Sequence, residues 1–224
     1  MIAIIAAMHE ELQEVLSLME DTQEERVYGV SFYHGSLAGK EVVAMLSGIA
    51  KINATFSTTL LLMKYAPDVV INVGSAGGLH ADLRMLDVVV STRVCQHDLD
   101  VGRAKGELGG QPRFFEADAK LISLASNLQL PNVRVHTGLI VSGDQFVVAK
   151  ASSFISKEFP DALAVEMEAA AVGQSCMKAN IPFVVIRSIS DLTYEPENGM
   201  TFDEYLPIAA KHSAMIAKQL IEIL

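Results

Sequence analysis

The stretch from Ala164 to Asp191 constrains the fold of this chain more than any other. It starts with an apolar run that stops at Glu166-Met167-Glu168, and small and apolar residues then recur at helical spacing as far as Asn180. An unbroken β-branched run, Phe183–Ile186, follows. This order predicts a buried strand, a helix and a second buried strand. Ligands of open α/β sheets bind just beyond the carboxyl ends of strands, so the best candidate site consists of the polar residues after both runs: Glu166, Glu168, Arg187, Ser190 and Asp191.

The rest of the chain also alternates between strand and helix patterns. Aliphatic runs predict strands over Ile2–Ala7, Val30–Tyr33, Glu41–Ser47, Pro67–Val73, Asp87–Cys95 and Val133–Val141. Helical spacing predicts helices from Met8 to near Glu20, over Lys51–Tyr65, over Ala117–Leu128, and from Thr201 or Phe202 to Leu224. Asp21–Gly29 is interpreted as a polar connection, and the glycine-rich segment from His97 to Arg113 as a functional loop or a subunit contact. The prediction is one α/β domain over residues 1–224.

The segment Gly74–Gly78 follows a predicted buried strand and carries three glycines. We interpret it as a turn, either one whose backbone N–H groups approach a ligand or a plain tight turn. The glycine spacing of a dinucleotide-binding motif is missing.

Composition excludes several classes of function. The net charge is -10 and Lys and Arg form no cluster, which argues against nucleic acid and anionic membranes as partners. The sequence shows no signal peptide and no apolar run of about 18 residues, so we expect a cytoplasmic protein. Cys95 and Cys176 are expected to be reduced core thiols. No metal-ligand motif is present, and neither a metal nor a cofactor is expected.

The polar residues after the predicted strands suit one kind of chemistry. Carboxylates dominate this set, which consists of Glu11, Ser75, Gly77, Phe146, Glu166, Glu168, Arg187, Ser190 and Asp191. Carboxylates accept hydrogen bonds from the vicinal hydroxyls of a ribose. Paired carboxyls also suit glycosidic cleavage, in which one activates water and another assists the leaving group. An anionic co-substrate such as phosphate would be repelled unless several cations countered these acids.

Seven segments, taken together, carry a family resemblance. They keep their order along the whole chain and are Ala7–Glu11, Ser47–Ile49, Asn72–Gly78, Ser142–Phe146, Val165–Ala169, Arg187–Asp191 and Phe202–Leu206. The chain resembles the 5′-methylthioadenosine/S-adenosylhomocysteine nucleosidases of the purine nucleoside phosphorylase/uridine phosphorylase superfamily. The resemblance implies a three-layer α/β/α fold around a mixed, twisted sheet. It also implies hydrolysis of 5′-methylthioadenosine, S-adenosylhomocysteine and 5′-deoxyadenosine to adenine and the sugar product.

The resemblance also implies roles for individual residues. Glu11 would be the general base, positioning the attacking water with Ser75 and Arg187. Asp191, steadied by Ser190, would donate a proton to adenine N7, for which its pKa must rise through burial beside other acids. The remaining residues would bind substrate: Glu168, the Met167 backbone and Glu166 at the ribose, Phe146 and the Val147 backbone at the base, Gly77 beside the ligand, and Ile49, Met8 and Phe202 around the 5′-thio group.

The sequence departs from the family pattern at two places. His9 stands where the family commonly has an acidic residue, and we expect it to face outward. The segment Leu192–Gly199 lacks the small residue that often follows the aspartate, which bears on the range of 5′-substituents accepted. Three alternatives remain open at this point: a nucleoside phosphorylase of the same fold, another nucleosidase of that fold such as a futalosine or AMP nucleosidase, and a non-catalytic nucleoside-binding module.

The resemblance further implies a homodimer that acts in methionine salvage and in autoinducer precursor formation. We expect apolar residues on Lys51–Tyr65 and on nearby loops to be buried between subunits. The loop from Asp100 to Arg113 is the candidate for reaching the neighbouring subunit's pocket.

Overall fold

The computed structural model describes residues 1–107, 109–195 and 198–224 and consists of alternating strands and helices. The strands are β1 Ile2–Ala6, β2 Glu20–Val27, β3 Val30–Leu37, β4 Lys40–Leu46, β5 Val69–Gly78, β6 Val88–Gln96, β7 Phe115–Glu116, β8 Val135–Ser142, β9 Ala162–Glu166 and β10 Phe183–Leu192. The helices are α1 His9–Leu18, α2 Lys51–Tyr65, α3 Ala119–Ala125, α4 Ala149–Glu158, α5 Ala169–Ala179 and α6 Asn198–Ile223. No helix in the described ranges is long and apolar enough to cross a membrane.

All strands belong to one mixed sheet, part of which closes on itself. Its order is β10-β6-β8-β9-β5-β1-β4-β3-β2, with β7 on β6, and β10 also pairs with β5. Strands β1, β4 and β10 run parallel to β5, whereas β9 is antiparallel to β5 and parallel to β8. The extra pairing of β10 with β5 therefore makes a closed ring of β5, β10, β6, β8 and β9.

Helices cover both faces of the sheet, which gives the predicted three layers. Helices α2 and α5 pack on one face, and α1, α3 and α6 pack on the other. In β1, Ala3 and Ile5 point to the first face while Ile2, Ile4 and Ala6 point to the second. A strand that is buried on both faces needs apolar residues at every position, which explains the unbroken runs in the sequence. The predicted α/β fold is confirmed, and Cys95 and Cys176 are both free thiols in the core.

The structure corrects three interpretations of the sequence. The segment Asp21–Gly29 is not a connection, because most of it forms β2, an exposed edge strand that is held by pairing with β3. The glycines of Gly74–Gly78 do not form a turn, because they are the last part of β5, where close neighbours leave no room for side chains. Arg187 does not follow the end of its strand, because β10 continues to Leu192 and keeps Arg187 in its middle.

Other boundaries differ by a few residues, and two elements were not anticipated. The helix expected over Ala117–Leu128 is the shorter α3, which begins after Asp118, whose side chain accepts a hydrogen bond from the backbone N–H of Leu121. The final helix begins at Asn198, earlier than expected. The strand β7 and the helix α4 were not predicted. The helix α4 has a short apolar stripe that includes Ile155, and tertiary packing supplies much of the stability of so short a helix.

Candidate active site

The site lies where β5 changes partners along one of its edges. Strand β1 pairs with Val69–Asn72, and β9 pairs only with Gly77 and Gly78. Residues 73–76 of this edge therefore face no strand, and their backbone groups are available to side chains. This also corrects the reason for expecting a site here. Strand β9 runs antiparallel to β5 and pairs only with Gly77 and Gly78, the last two residues of β5. The acidic ends of β9 and β10 therefore meet because the two strands converge from opposite directions, and not because they are parallel neighbours at one edge.

Glu11 is held in this gap by four hydrogen bonds. It is the third residue of α1, and its carboxylate reaches back to accept the backbone N–H groups of Ala7 (3.0 Å) and Met8 (3.1 Å). The other carboxylate oxygen accepts the backbone N–H of Ser75 (2.9 Å) and its hydroxyl (3.0 Å). The helix start thus turns Glu11 inward and leaves it only 2% exposed, while the neighbouring His9 and Glu10 remain exposed. Donors on both oxygens fix the orientation of this carboxylate in the gap.

Arg187 lies behind the cavity wall and does not line the cavity. Its guanidinium donates to the carbonyl of Val73 (2.9 Å), to the side chain of Asn72 (2.9 Å) and to Glu166 (2.5 Å). Burial opposes its charge, but Glu166, Glu168 and Glu11 together hold the pKa of Arg187 above its usual value. A Cβ on Gly74 would lie 2.0 Å from Nη1 of Arg187 and 2.7 Å from Oε1 of Glu11, so both groups converge at this glycine.

Glu166 faces the cavity, but both of its carboxylate oxygens accept hydrogen bonds from neighbouring protein groups. One oxygen accepts the hydroxyl of Ser142 in a short hydrogen bond, and the other accepts the backbone N–H groups of Glu168 (2.9 Å) and Ala169 (2.8 Å) together with Arg187. Ala169 is the first residue of α5, so Glu166 also caps this helix. These contacts fit an anchor for Arg187 and for the start of α5 better than a direct ribose ligand.

Glu168 has few donors and a strongly perturbed protonation equilibrium. It is 5% exposed, accepts the backbone N–H of Ala50 (2.8 Å) with one oxygen, and keeps the other 3.6 Å from Arg187. Burial, reinforced by the charge of Glu166, raises the pKa of Glu168 from 4.5 to about 8. A carboxyl of this kind is poised to gain further hydrogen-bond donors from a ligand.

Asp191 lies at the end of β10, next to the last glycines of β5. Its Oδ1 accepts the hydroxyl of Ser190 at 3.0 Å. A Cβ on Gly77 would be 3.2 Å from Oδ2 of Asp191 and 2.5 Å from Cγ2 of Thr193, so a side chain at residue 77 would displace both. The Thr193 hydroxyl donates to the carbonyl of Gly78 (2.9 Å) and lies 2.7 Å from the hydroxyl of Ser152 on α4.

The opposite walls of the cavity are apolar. Phe146 and Phe202 meet edge to face, with ring centroids 5.5 Å apart, and Phe146 remains 47% exposed. A half-exposed ring at a cavity leaves its free face available for stacking. The other predicted apolar residues, Met8, Ile49 and Val147, line the same cavity.

The cavity contains nearly all the site residues expected from the sequence. Its lining includes Glu11, Glu166, Glu168, Asp191 and the apolar residues just described, together with Ser75, Gly77, Met167 and Ser190. Arg187 is the one expected site residue that does not line it. Sequence reasoning missed five lining residues: Ala7, Ala76, Gln145, Val165 and Thr193. A signal for Thr193 was available, because it follows Asp191 by two residues and strand alternation places such pairs on one face. The segment Leu192–Gly199, which differs from the family pattern, therefore contributes at least Thr193 to the cavity wall. Pro196 and Glu197 of this segment lie outside the described residues.

Comparison with known proteins agrees with this geometry. The family model of the phosphorylase superfamily matches residues 1–222. The 5′-methylthioadenosine/S-adenosylhomocysteine nucleosidase of Anoxybacillus flavithermus is 44% identical over 98% of this chain and 97% of its own length. The crystal structure of the nucleosidase of that name from Neisseria meningitidis, in complex with methylthio-immucillin-A, has a TM-score of 0.95 and 40% identity over 100% of this chain and 99% of that one. The corresponding enzyme from Colwellia psychrerythraea, in complex with adenine, has a TM-score of 0.94 and 37% identity over 98% and 93% of the two chains.

These matches extend over nearly the full length of both partners and at identities well above those that show a fold alone. They agree with the seven ordered segments of the sequence and with the cavity that those segments build. The chain belongs to the phosphorylase superfamily and, within it, to the family of 5′-methylthioadenosine/S-adenosylhomocysteine nucleosidases.

Proposed function

We propose that this protein hydrolyses the N-glycosidic bond of 5′-methylthioadenosine and S-adenosylhomocysteine, and of 5′-deoxyadenosine, releasing adenine. The observation that carries the proposal is the placement of two carboxyls along one strand. Ser75 binds Glu11, and Gly77 lies beside Asp191. Ser75 and Gly77 are two residues apart along β5, and both Glu11 and Asp191 line the same cavity. A pair of carboxyls at one cavity suits glycosidic cleavage, in which one acts as base and the other as acid.

In the proposed reaction, water attacks C1′ of the ribose while the C1′–N9 bond breaks. The electron pair of that bond goes to the adenine ring, and Asp191 donates a proton to N7, so that adenine leaves as a neutral molecule. As the water oxygen bonds to C1′, Glu11 takes a proton from that water. Ser75 would orient the water together with Glu11. Arg187 would act from behind Gly74 through its positive charge, held in place by Glu166.

The remaining lining residues would bind the substrate. Glu168 would accept hydrogen bonds from the 2′- and 3′-hydroxyls, next to the Met167 backbone. Phe146 would stack on adenine, and the Val147 backbone would pair with its edge. Met8, Ile49 and Phe202 would surround the 5′-thio substituent, where apolar side chains favour a thioether.

Adenine release from 5′-methylthioadenosine, measured with and without phosphate, tests this function. Phosphate-independent release by the wild type, reduced by about 10²–10⁴-fold in Asp191→Asn, is expected because general acid catalysis contributes this much. Release that requires phosphate and yields a sugar 1-phosphate would assign the protein to the phosphorylases. Binding without release would leave a nucleoside-binding module. Either result would contradict the proposal.

We further propose a cytoplasmic homodimer that serves methionine salvage. Exposed apolar side chains on α2 support the dimer: Ile52 and Met63 are each 81% exposed and Phe56 is 50% exposed. Contiguous apolar surface of this kind commonly marks a protein interface. A monomer in sedimentation analysis at micromolar concentration would contradict the dimer. The loop from Asp100 to Arg113 remains our candidate for reaching the neighbouring pocket.

A further inference from the structure

Two segments of the cavity wall come from distant parts of the chain. Ile49 and Ala50 precede α2, and Ala50 donates its backbone N–H to Glu168. Gln145–Val147 precede α4 and carry the aromatic ring of Phe146. No strand pairing within the described ranges joins the two segments directly, so contacts outside the sheet hold them against each other.

Three charged residues connect these segments directly. Lys51 follows Ala50, and Asp144 precedes Gln145. The backbone N–H of Lys51 donates to Asp144 at 2.9 Å, and its ammonium group contacts Asp98 in a short ion pair and Asp144 at 3.5 Å. Asp98 closes the network by accepting the backbone N–H of Asp144 at 2.9 Å. We call these three residues the Lys51 cluster.

The ammonium of the Lys51 cluster is shielded, although the carboxylates of Asp98 and Asp144 are 32% and 44% exposed. The Lys51 side chain is 15% exposed, and its ammonium lies between two carboxylates. Burial alone would raise the pKa of Asp98, but the hydrogen bonds from Lys51 and Asp144 hold it below its usual value. The first turn of α2 has no cap from its own residue Ala50, so Asp144 supplies the acceptor from another loop.

The residue before Asp98 reinforces the same connection. The ring of His97 lies against Gly143, where a Cβ would be 2.2 Å from its Nε2. The backbone N–H of His97 also donates to the carbonyl of Ser142 at 2.9 Å. Burial lowers the pKa of His97, although Asp98 opposes this. A neutral ring therefore packs beneath the start of the segment that leads to Phe146.

We propose that the Lys51 cluster is a positioning device that fixes the base-side segment, Gln145–Val147, relative to the ribose-side segment, Ile49–Ala50. Its part in catalysis rests on the proposed nucleosidase function. None of its three residues lines the cavity, so they act through Phe146, Val147 and the Ala50–Glu168 contact. Loss of the cluster lets the two walls move apart and misaligns the adenine with respect to the ribose.

The test compares Lys51→Met with Lys64→Met. Both remove an ammonium group from α2, but Lys64 pairs with Glu25 at 2.8 Å near the other end of this helix. Lys51→Met is expected to lower kcat/KM for 5′-methylthioadenosine and the affinity for adenine by about 10- to 100-fold, as a misplacement of about 1 Å does. Lys64→Met should leave both within about twofold. Asp98→Asn, which keeps the shape and the acceptor for the Asp144 N–H, should show a smaller loss of the same kind if Lys51→Met folds poorly.

Amide hydrogen exchange provides a readout that needs neither ligand nor activity. Faster exchange confined to residues 145–148 in Lys51→Met and Asp98→Asn supports the positioning role. Unchanged exchange there, or adenine affinity equal to that of Lys64→Met, overturns it. A wild type that fails to release adenine would refute the nucleosidase function, and the exchange measurement would still decide the role of the cluster.

Discussion

Glu11 and Glu168 face the same cavity and are equally well buried, but their surroundings differ. Glu11 accepts four hydrogen bonds, three of them from backbone N–H groups and one from the Ser75 hydroxyl. Glu168 accepts one, from Ala50. Burial, reinforced by the charge of the neighbouring Glu166, raises the pKa of Glu168 to about 8. Two carboxyls of similar burial therefore differ in how much of their acceptor capacity the protein itself occupies. Protein donors hold both oxygens of Glu11 in place, whereas Glu168 keeps capacity to accept hydrogen bonds from ligand hydroxyls.

Neutral variants of the two residues should give the largest contrast. Glu11→Gln removes the proton acceptor, so we expect kcat for adenine release to fall by about 10²–10⁴-fold. Glu168→Gln keeps a polar group at the ribose and should mainly raise KM. Steady-state kinetics with 5′-methylthioadenosine, together with adenine binding as a control for folding, separates the two effects. A greater loss of kcat in Glu168→Gln than in Glu11→Gln would contradict the comparison.

The substitution Gly74→Ala should disrupt the hydrogen bonds that hold Glu11. The added Cβ would lie 2.0 Å from Arg187 and 2.7 Å from Glu11, and both partners are buried and cannot withdraw easily. We expect loss of most activity and a lower Tm in thermal unfolding. Gly29→Ala is the control, because φ is +84° there but no atom lies within 4 Å, which leaves backbone strain of about 1 kcal/mol alone. Wild-type kcat in Gly74→Ala would refute this packing.

Removing one donor from Glu11 should have a moderate effect. Ser75→Ala deletes the hydroxyl at 3.0 Å but keeps the backbone N–H. A hydrogen bond to a charged group contributes about 1.5 kcal/mol or more, so kcat should fall by about tenfold. Ser213→Ala removes a buried hydroxyl that donates to the carbonyl of Ala210 in α6, and its kcat should not change. Equal kcat values for the two variants would show that the Ser75 hydroxyl is dispensable.

The raised pKa of Glu168 predicts how stability depends on pH. The folded protein holds this proton up to about pH 8, whereas the unfolded chain releases it near pH 4.5. The contribution of Glu168 to stability is therefore fully present below pH 4.5 and is lost as the pH rises through 8. Relative to Glu168→Gln, the Tm of the wild type should fall across this window by about 2–4 °C for each kcal/mol. Parallel Tm curves for the two proteins would contradict the shift.

The smallest expected effect is proton release on substrate binding. At pH 7 the unliganded Glu168 is mostly protonated, and ribose hydroxyls that donate to it favour the carboxylate. Calorimetry in two buffers of different ionisation enthalpy should detect release of somewhat less than one proton when 5′-methylthioadenosine binds to Asp191→Asn. Adenine, which has no ribose, should release none, and neither ligand should do so when Glu168→Gln is added. Equal release by adenine would place the titrating group elsewhere.

Local patterns determined much of this protein in advance. Runs that are apolar at every position identified most of the strands, because a strand covered on both faces has no polar position. Helical spacing gave Lys51–Tyr65 with the observed bounds. The resemblance carried by seven short segments named a set of site residues that, apart from Arg187, line one cavity.

Only the tertiary structure decided how these residues act on one another. The closure of β5 with β10 and β9 opens the gap at residues 73–76, and no local pattern encodes such long-range pairing. The gap lets Arg187 bind the free carbonyl of Val73 and lets Glu11 bind the free N–H of Ser75. The approach of a third, distant segment gives Glu168 its one donor, the N–H of Ala50. The polar strand β2 was misread because it has no apolar pattern of its own and is held by pairing with the next strand, β3. The glycine-rich end of β5 was misread because it is a strand only through its pairing with the distant β10. Residue types set which groups are available, whereas burial and neighbouring charges, which raise the pKa of Glu168, exist only once the chain has folded.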